Sequence, residues 1–150
     1  MDYTVAMQRA IALAEKGLGK TAPNPIVGAV ILDSTGAIIA EGFHDRMKSP
    51  DHAEVVAIKA AADKAKGATI VVTLEPCNHS GSTGPCVQAI IDAGISTVVF
   101  AVNDPNEKAA GGAAALRAAG ITVIEGVMQE EAAFSNRALF EHAIKCFTYR

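Results

Sequence analysis

The sequence predicts an α/β domain whose mixed sheet is mostly parallel in its second half, with helices on both faces. Three observations carry that prediction. Two β-rich runs, 26–32 and 37–43, flank Asp33-Ser34-Thr35-Gly36 and read as a hairpin. From residue 52 onward, helical and strand patterns alternate. No repeat, low-complexity segment or linker divides the 150 residues. A hairpin makes the sheet antiparallel at its start. Helical crossovers then make it parallel, because each returns the chain to the same end of the sheet.

Each element has its own signal. Residues 2–19 form the first predicted helix. Val5, Ala6, Arg9, Ala10, Leu13 and Ala14 roughly follow the helical period, and Gly17 and Gly19 sit where a helix stops. Thr21-Ala22-Pro23-Asn24-Pro25 cannot continue that helix and reads as a loop. After the hairpin, His52 opens a helix with Val55, Val56, Ile58, Ala61 and Ala62 as its apolar face, and Gly67 ends it. Residues 69–74 are a short strand of the buried type, running straight into Glu75-Pro76-Cys77. A helix over 85–93 has Pro85 suited to its first turn and Cys86, Ala89, Ile90 and Ala93 on one face. A strand over 97–102, a helix over 108–119, a strand over 121–124 and a last helix over 129–143 complete the order.

Composition narrows the function classes. A chain of this length buries about 70% of the surface it exposes when unfolded, so it needs no disulfide or structural metal to fold. Half of its residues are apolar, yet no uninterrupted apolar run approaches the roughly 20 residues that cross a bilayer. Met1-Asp2-Tyr3 lacks the basic start of a secretory signal, and three cysteines in such a chain point to a reducing, cytoplasmic compartment. The net charge is −3 and the basic residues are scattered, which disfavours a polynucleotide partner. A small anionic substrate needs only a few local donors and remains open.

Three short pieces make chemical sense together: His52-Ala53-Glu54, Pro76-Cys77 and Pro85-Cys86. All three ligand residues fall at predicted helix starts, where ligands gather in such sheets and helix dipoles favour thiolate. One imidazole and two thiolates suit Zn2+, and three protein ligands leave a position for water, as in catalytic sites. A fourth ligand, with His79 the candidate, would make the site a closed structural one. Zinc lowers the pKa of bound water to about 7. Hydrolytic deamination then needs a proton carrier, a role that Glu54 fits, since at a first helical turn it leans toward the same point as His52. His-x-Glu alone is a common tripeptide, and Cys86 or Cys146 alone would be an ordinary core residue. The combination carries the assignment. It matches the zinc-deaminase pattern H-x-E then P-C-x-x-C, except that eight residues separate Cys77 from Cys86.

At these residues the chain resembles the cytidine-deaminase-like superfamily and, within it, the deaminase domain of bifunctional riboflavin biosynthesis proteins. The stretches that carry the likeness span nearly the whole sequence. They are Pro23-Asn24-Pro25-Ile26-Val27-Gly28-Ala29-Val30, Gly42-Phe43-His44, His52-Ala53-Glu54-Val55, Val72-Thr73-Leu74-Glu75-Pro76-Cys77-Asn78-His79-Ser80-Gly81, Pro85-Cys86 and Asn103-Asp104-Pro105-Asn106. The long cysteine spacer containing His-x-Gly is specific to this branch. The resemblance implies a three-layer α/β/α sandwich with a central mixed sheet of about five strands. It implies hydrolysis of the 2-amino group of 2,5-diamino-6-ribosylamino-4(3H)-pyrimidinone 5′-phosphate, releasing ammonia. It also implies that His52, Cys77 and Cys86 hold zinc and that Glu54 shuttles protons. Asn24, His44, His79, Asp104 and Asn106 fall on the substrate-pocket loops, with Asn24 and Asn106 reading pyrimidine edges or ribose hydroxyls and His44 and His79 near the phosphate.

Two departures stand out. Ser82 replaces the usual cation after His-x-Gly, with Arg46 or Lys48 as candidates to compensate. Gly111-Gly112-Ala113 replaces the usual Ala-Gly-Arg-Gly. The expectation is therefore one zinc-dependent deaminase domain over 1–150 without the reductase domain. It acts on a small pyrimidine ribotide and self-associates, and it is either a single-activity deaminase, with a separate reductase as companion, or the deaminase half of a bifunctional protein. Two alternatives stand beside it: a deaminase of another small base or nucleoside, and a non-catalytic zinc module.

Overall fold

The apolar alternation along the strands places two rows of side chains on opposite sides of one sheet. The computed structural model describes residues 2–18, 26–45, 48–77, 86–103 and 111–136. Within them, helix α1 (Thr4–Glu15) precedes the hairpin β1 (Gly28–Leu32) and β2 (Ile38–Phe43). Helix α2 (Ala53–Ala61) runs into a 3-10 turn, Ala62–Ala65, and then β3 (Thr69–Leu74). The chain continues through α3 (Cys86–Asp92), β4 (Thr97–Val102), α4 (Gly112–Ala118), β5 (Thr122–Glu125) and α5 (Gln129–Ser135). The five strands order as β2-β1-β3-β4-β5. β1 pairs antiparallel with both β2 and β3, and β3, β4 and β5 run parallel, as the sequence predicts.

Cross-strand register explains the layers. Val30, Val71, Val99 and Ile124 are partners in one row, which packs against α1 and α5. Ile31, Ile70, Val98 and Val123 form a row on the other side, facing α2, α3 and α4. The result is the expected three-layer α/β/α arrangement. β4 lies inside the sheet, and Val98, Val99 and Phe100 are fully buried.

The apolar faces of two helices differ from expectation. In α1 the buried stripe is Ala6, Met7, Ala10, Leu13 and Ala14. Val5 is 75% exposed, and Arg9 leaves the apolar face to bond Glu41 of β2 through Nε and, at 3.0 Å, through Nη2. In α2 the buried stripe is Ala53, Ala57 and Ala61, not the valines and Ile58. The reason is close approach: a Cβ on Gly42 would lie 2.5 Å from the Ala53 carbonyl oxygen and 2.7 Å from the Ala57 nitrogen. Only alanines fit where helix backbone meets strand backbone, so the larger side chains spread to the flanks. The first helix is also shorter than 2–19, giving way to turn after Glu15, and β5 begins one residue late because Ile121 N–H closes onto Leu116. Residues 108–110 and 137–143 of the last two predicted helices lie outside the described residues, as does Cys146.

Gly28 plays the same part under α1, where an added Cβ would lie 1.9 Å from the Ala10 carbonyl oxygen. Backbone on both sides cannot yield as a flexible side chain would. Gly28→Ala is therefore expected to destabilise the domain by about 3 kcal/mol or more, read as a lower urea midpoint at unchanged slope.

Candidate metal centre

The carboxyl end of β3 and the starts of α2 and α3 meet at one point of the sheet edge, next to where pairing changes from antiparallel to parallel. Open α/β sheets bind ligands at such a position. His52 is the N-cap of α2, with extended backbone (φ −72°, ψ 165°), and its carbonyl accepts the first helical bond from Val56 N–H. Its side chain makes no capping bond and goes instead to the sulfurs. Nδ1 lies 3.2 Å from Cys86 Sγ and 3.7 Å from Cys77 Sγ. Cys86 opens α3, donates its N–H to Cys77 Sγ at 3.4 Å, and the Cys77 carbonyl accepts Val87 N–H at 3.2 Å. Both cysteines are free thiols and both are buried.

These three ligand atoms all lie within 4.8 Å of one another. Tetrahedral zinc with ordinary bond lengths would separate an imidazole nitrogen from a thiolate by about 3.6 Å and two thiolates by about 3.8 Å. The donor set and its spacing therefore fit one zinc ion. Glu54 adds a second sign of fit. It is 3% exposed, yet its Oε1 has no hydrogen-bond partner among the described residues. A buried carboxylate oxygen without a donor is costly and calls for a polar ligand to complete it.

The electrostatics follow from burial and crowding. Burial pushes the Glu54 carboxyl up to about 7, and the nearby Cys77 charge adds to the rise. The bond from the Cys86 thiol holds Cys77 well below the usual thiol range, while that same bond and then burial push Cys86 up. The bond to Cys77 raises His52, against the effect of burial. With protein atoms alone, the sulfurs thus divide one proton unequally. A divalent ion would release it, because a coordinating thiol is deprotonated outright.

Of the other predicted site residues, His44 is described and is buried beside the centre. Its Nδ1 bonds the Asp51 carbonyl at 3.0 Å and so must carry the proton. Its ring meets that of His52 edge to face, with centroids 5.2 Å apart. Asp51 in turn pairs with Lys59 at 2.6 Å. Asn24, His79, Asp104 and Asn106, together with Ser82 and Arg46, lie outside the described residues, and Lys48 is exposed. Sequence reasoning missed Asn136. Its buried side-chain amide accepts Ile26 N–H and donates to Ile26 C=O, both at 2.9 Å, pinning the approach to β1 from 110 residues away. An asparagine inside the predicted helical run 129–143, where its side chain competes with the helix backbone, was the available signal.

A helix-start imidazole and two thiols gathered at the edge of a three-layer α/β/α sheet define a zinc-binding domain of the deaminase type. Residues 2–102 match the model of the cytidine and deoxycytidylate deaminase zinc-binding region, and the chain belongs to that family. It is 50% identical over 133 residues to the riboflavin biosynthesis protein RibD of Synechocystis, covering 88% of this chain and 36% of that protein. It is 45% identical to the diaminohydroxyphosphoribosylamino-pyrimidine deaminase of Buchnera aphidicola, covering 90% of this chain and 91% of the relative. Among solved structures, the diaminohydroxyphosphoribosylaminopyrimidine deaminase/5-amino-6-(5-phosphoribosylamino)uracil reductase of Thermotoga maritima superposes with TM-score 0.89 at 48% identity. That likeness covers 95% of this chain and 41% of the other. The chain thus spans well under half the length of the RibD-type relatives and nearly all of the Buchnera one. No described helix is long and apolar enough to cross a membrane.

One zinc ion per chain is expected in a chelator-competition titration, accompanied by a rise in melting temperature. Cys86→Ser should weaken the ion's hold by more than the roughly 10–100-fold typical of losing a partner outside the coordination sphere.

Proposed function

We propose that the domain is a zinc-dependent hydrolytic deaminase acting on 2,5-diamino-6-ribosylamino-4(3H)-pyrimidinone 5′-phosphate in riboflavin biosynthesis. The observation that carries the reading is a buried carboxylate oxygen of Glu54, unpartnered among the described residues, next to three metal-ligating atoms of zinc spacing. His52, Cys77 and Cys86 would hold the ion. When bound, zinc supplies Lewis-acid activation of water at neutral pH.

The residues of the chain do the rest. Water adds to the amino-bearing carbon of the pyrimidinone, the carbon–nitrogen bond breaks, and ammonia leaves as a carbonyl forms. Both protons of the water leave its oxygen in the process: one ends on the ring nitrogen of the C=N bond that water adds across, and the other on the departing amino nitrogen. Glu54 is buried beside the three ligand atoms, and burial raises its carboxyl above the usual range, the direction that suits a group which must both take and give a proton in one turnover. Burial that raises its pKa also excludes competing water. His44 holds the Asp51 carbonyl and braces the His52 ring, a contact compatible with a place on the substrate side of the same pocket. Asn24, His79, Asp104 and Asn106 complete the substrate loops in this reading.

The relatives named RibD and the Thermotoga enzyme, whose name joins a deaminase to a reductase, support a reductase as the companion activity, supplied by a fused or separate partner. A cytoplasmic setting and self-association belong to the same reading. Ser82, where this branch has a cation, favours one variant of it: a weaker demand for the phosphate.

Two measurements test the proposal. Ammonia release from the ribotide by the zinc-loaded protein should fall by about 10²–10⁴-fold in Glu54→Gln while bound zinc stays at one per chain. Unchanged turnover in that variant removes Glu54 from the mechanism. Equal rates on the phosphorylated and dephosphorylated compounds would make the substrate a nucleoside-type pyrimidine instead.

A further inference from the structure

Glu75 stands two residues before Cys77 and is buried. Its backbone N–H donates to the Val102 carbonyl at 2.8 Å, extending the pairing of β3 with β4 toward the metal centre. Its two carboxylate oxygens serve different parts of the chain. Oε1 accepts from Asn103 Nδ2 at 3.4 Å, and Oε2 accepts from Ala113 N–H at 3.0 Å. Asn103 follows β4, and Ala113 lies in the first turn of α4, so one side chain fastens both ends of the connection between them. Beside it, Gly112 lies against the Pro76 carbonyl, where an added Cβ would fall 1.9 Å from the oxygen. Asn103 is held a second time by Glu125 at 3.3 Å, and Glu125 pairs with Arg117 of α4 at 2.8 Å.

Packing alone does not explain a carboxylate at this place. An apolar side chain would fill the space without the cost of burying a charge. What a carboxylate adds is acceptor capacity on both oxygens, so donors from two directions can be satisfied at once. An amide of the same shape would turn an NH2 group toward one of those donors. We propose that Glu75 is a positioning residue for the metal centre: by locking Glu75-Pro76 between the end of β4 and the start of α4, it sets the position of the Cys77 sulfur relative to His52 and Cys86. The proposal deepens the deaminase reading and rests on it only in taking the three donors to be metal ligands.

The experiment compares the full chain with Glu75→Gln and Glu75→Ala. Zinc dissociation constants are measured by chelator competition, and the thiolate-to-metal absorption of the Co2+-substituted protein reports how the sulfurs sit around the ion. Glu75→Gln is expected to weaken zinc about 10-fold or more and to shift the cobalt–thiolate absorption. Glu75→Ala should do so further. Should the alanine variant fail to fold, the near-isosteric glutamine variant still decides. Parental zinc affinity together with a parental cobalt spectrum in Glu75→Gln would overturn the proposal, whatever its thermal stability, since a residue needed only for folding moves neither. A parent protein that binds zinc but releases no ammonia would sink the deaminase reading and leave the affinity and spectral comparison to judge Glu75.

Discussion

Backbone-to-backbone contact between α2 and β2 is the constraint on which the site depends. Gly42 has no side chain, so the Ala53 and Ala57 backbone settles directly on the strand, and the helix start falls at the height of the β3 terminus. His52 and Glu54 are carried there together, two residues apart on a first turn, and both reach the same small volume. A bulkier strand residue would lift the helix and carry the imidazole away from the sulfurs. Gly28 under α1 and Gly112 against Pro76 repeat the device at the other contacts that locate the sheet edge. Side chains are absent where the scaffold must be closest, and chemistry is concentrated just beyond.

That geometry creates an electrostatic problem and its use. A carboxylate and two thiols share a buried volume, where like charges repel and solvation is lost. The protein atoms respond by raising the pKa of Glu54 and Cys86 and lowering that of Cys77. The same crowding makes the place attractive to a divalent cation, which would offset the charge of both thiolates. Perturbed groups of this kind, held by neighbours instead of by chance, are what distinguish a working centre from a buried cysteine pair.

Much of the fold was legible before any coordinates. The limits of β3 and β4 match the sequence reading residue for residue, because both strands are buried runs bounded by turn signals. The hairpin, the strand–helix alternation and the three-ligand set were equally readable, since each depends on local residue order. The misread helix faces have one cause. Periodicity ranks residues by apolarity, whereas contact at a glycine selects by size, so Val55, Val56 and Ile58 lost the central place to alanines. Arg9 was misread because its partner, Glu41, is 32 residues away and nothing local announces it.

By itself the sequence determined the kind of chemistry: a histidine and two cysteines with zinc preference, a carboxylate two residues on, and the long spacer of one deaminase branch. Those are properties of residue types and short spacings, which survive being read along a line. Only the tertiary structure decided that Nδ1 and both sulfurs come within reach of one ion, that Glu54 is buried with an oxygen unpartnered among the described residues, that Glu75 joins the end of β4 to the start of α4, and that Asn136 holds Ile26 ahead of β1. Those are consequences of long-range pairing and of where two backbones touch, quantities that no window of sequence contains.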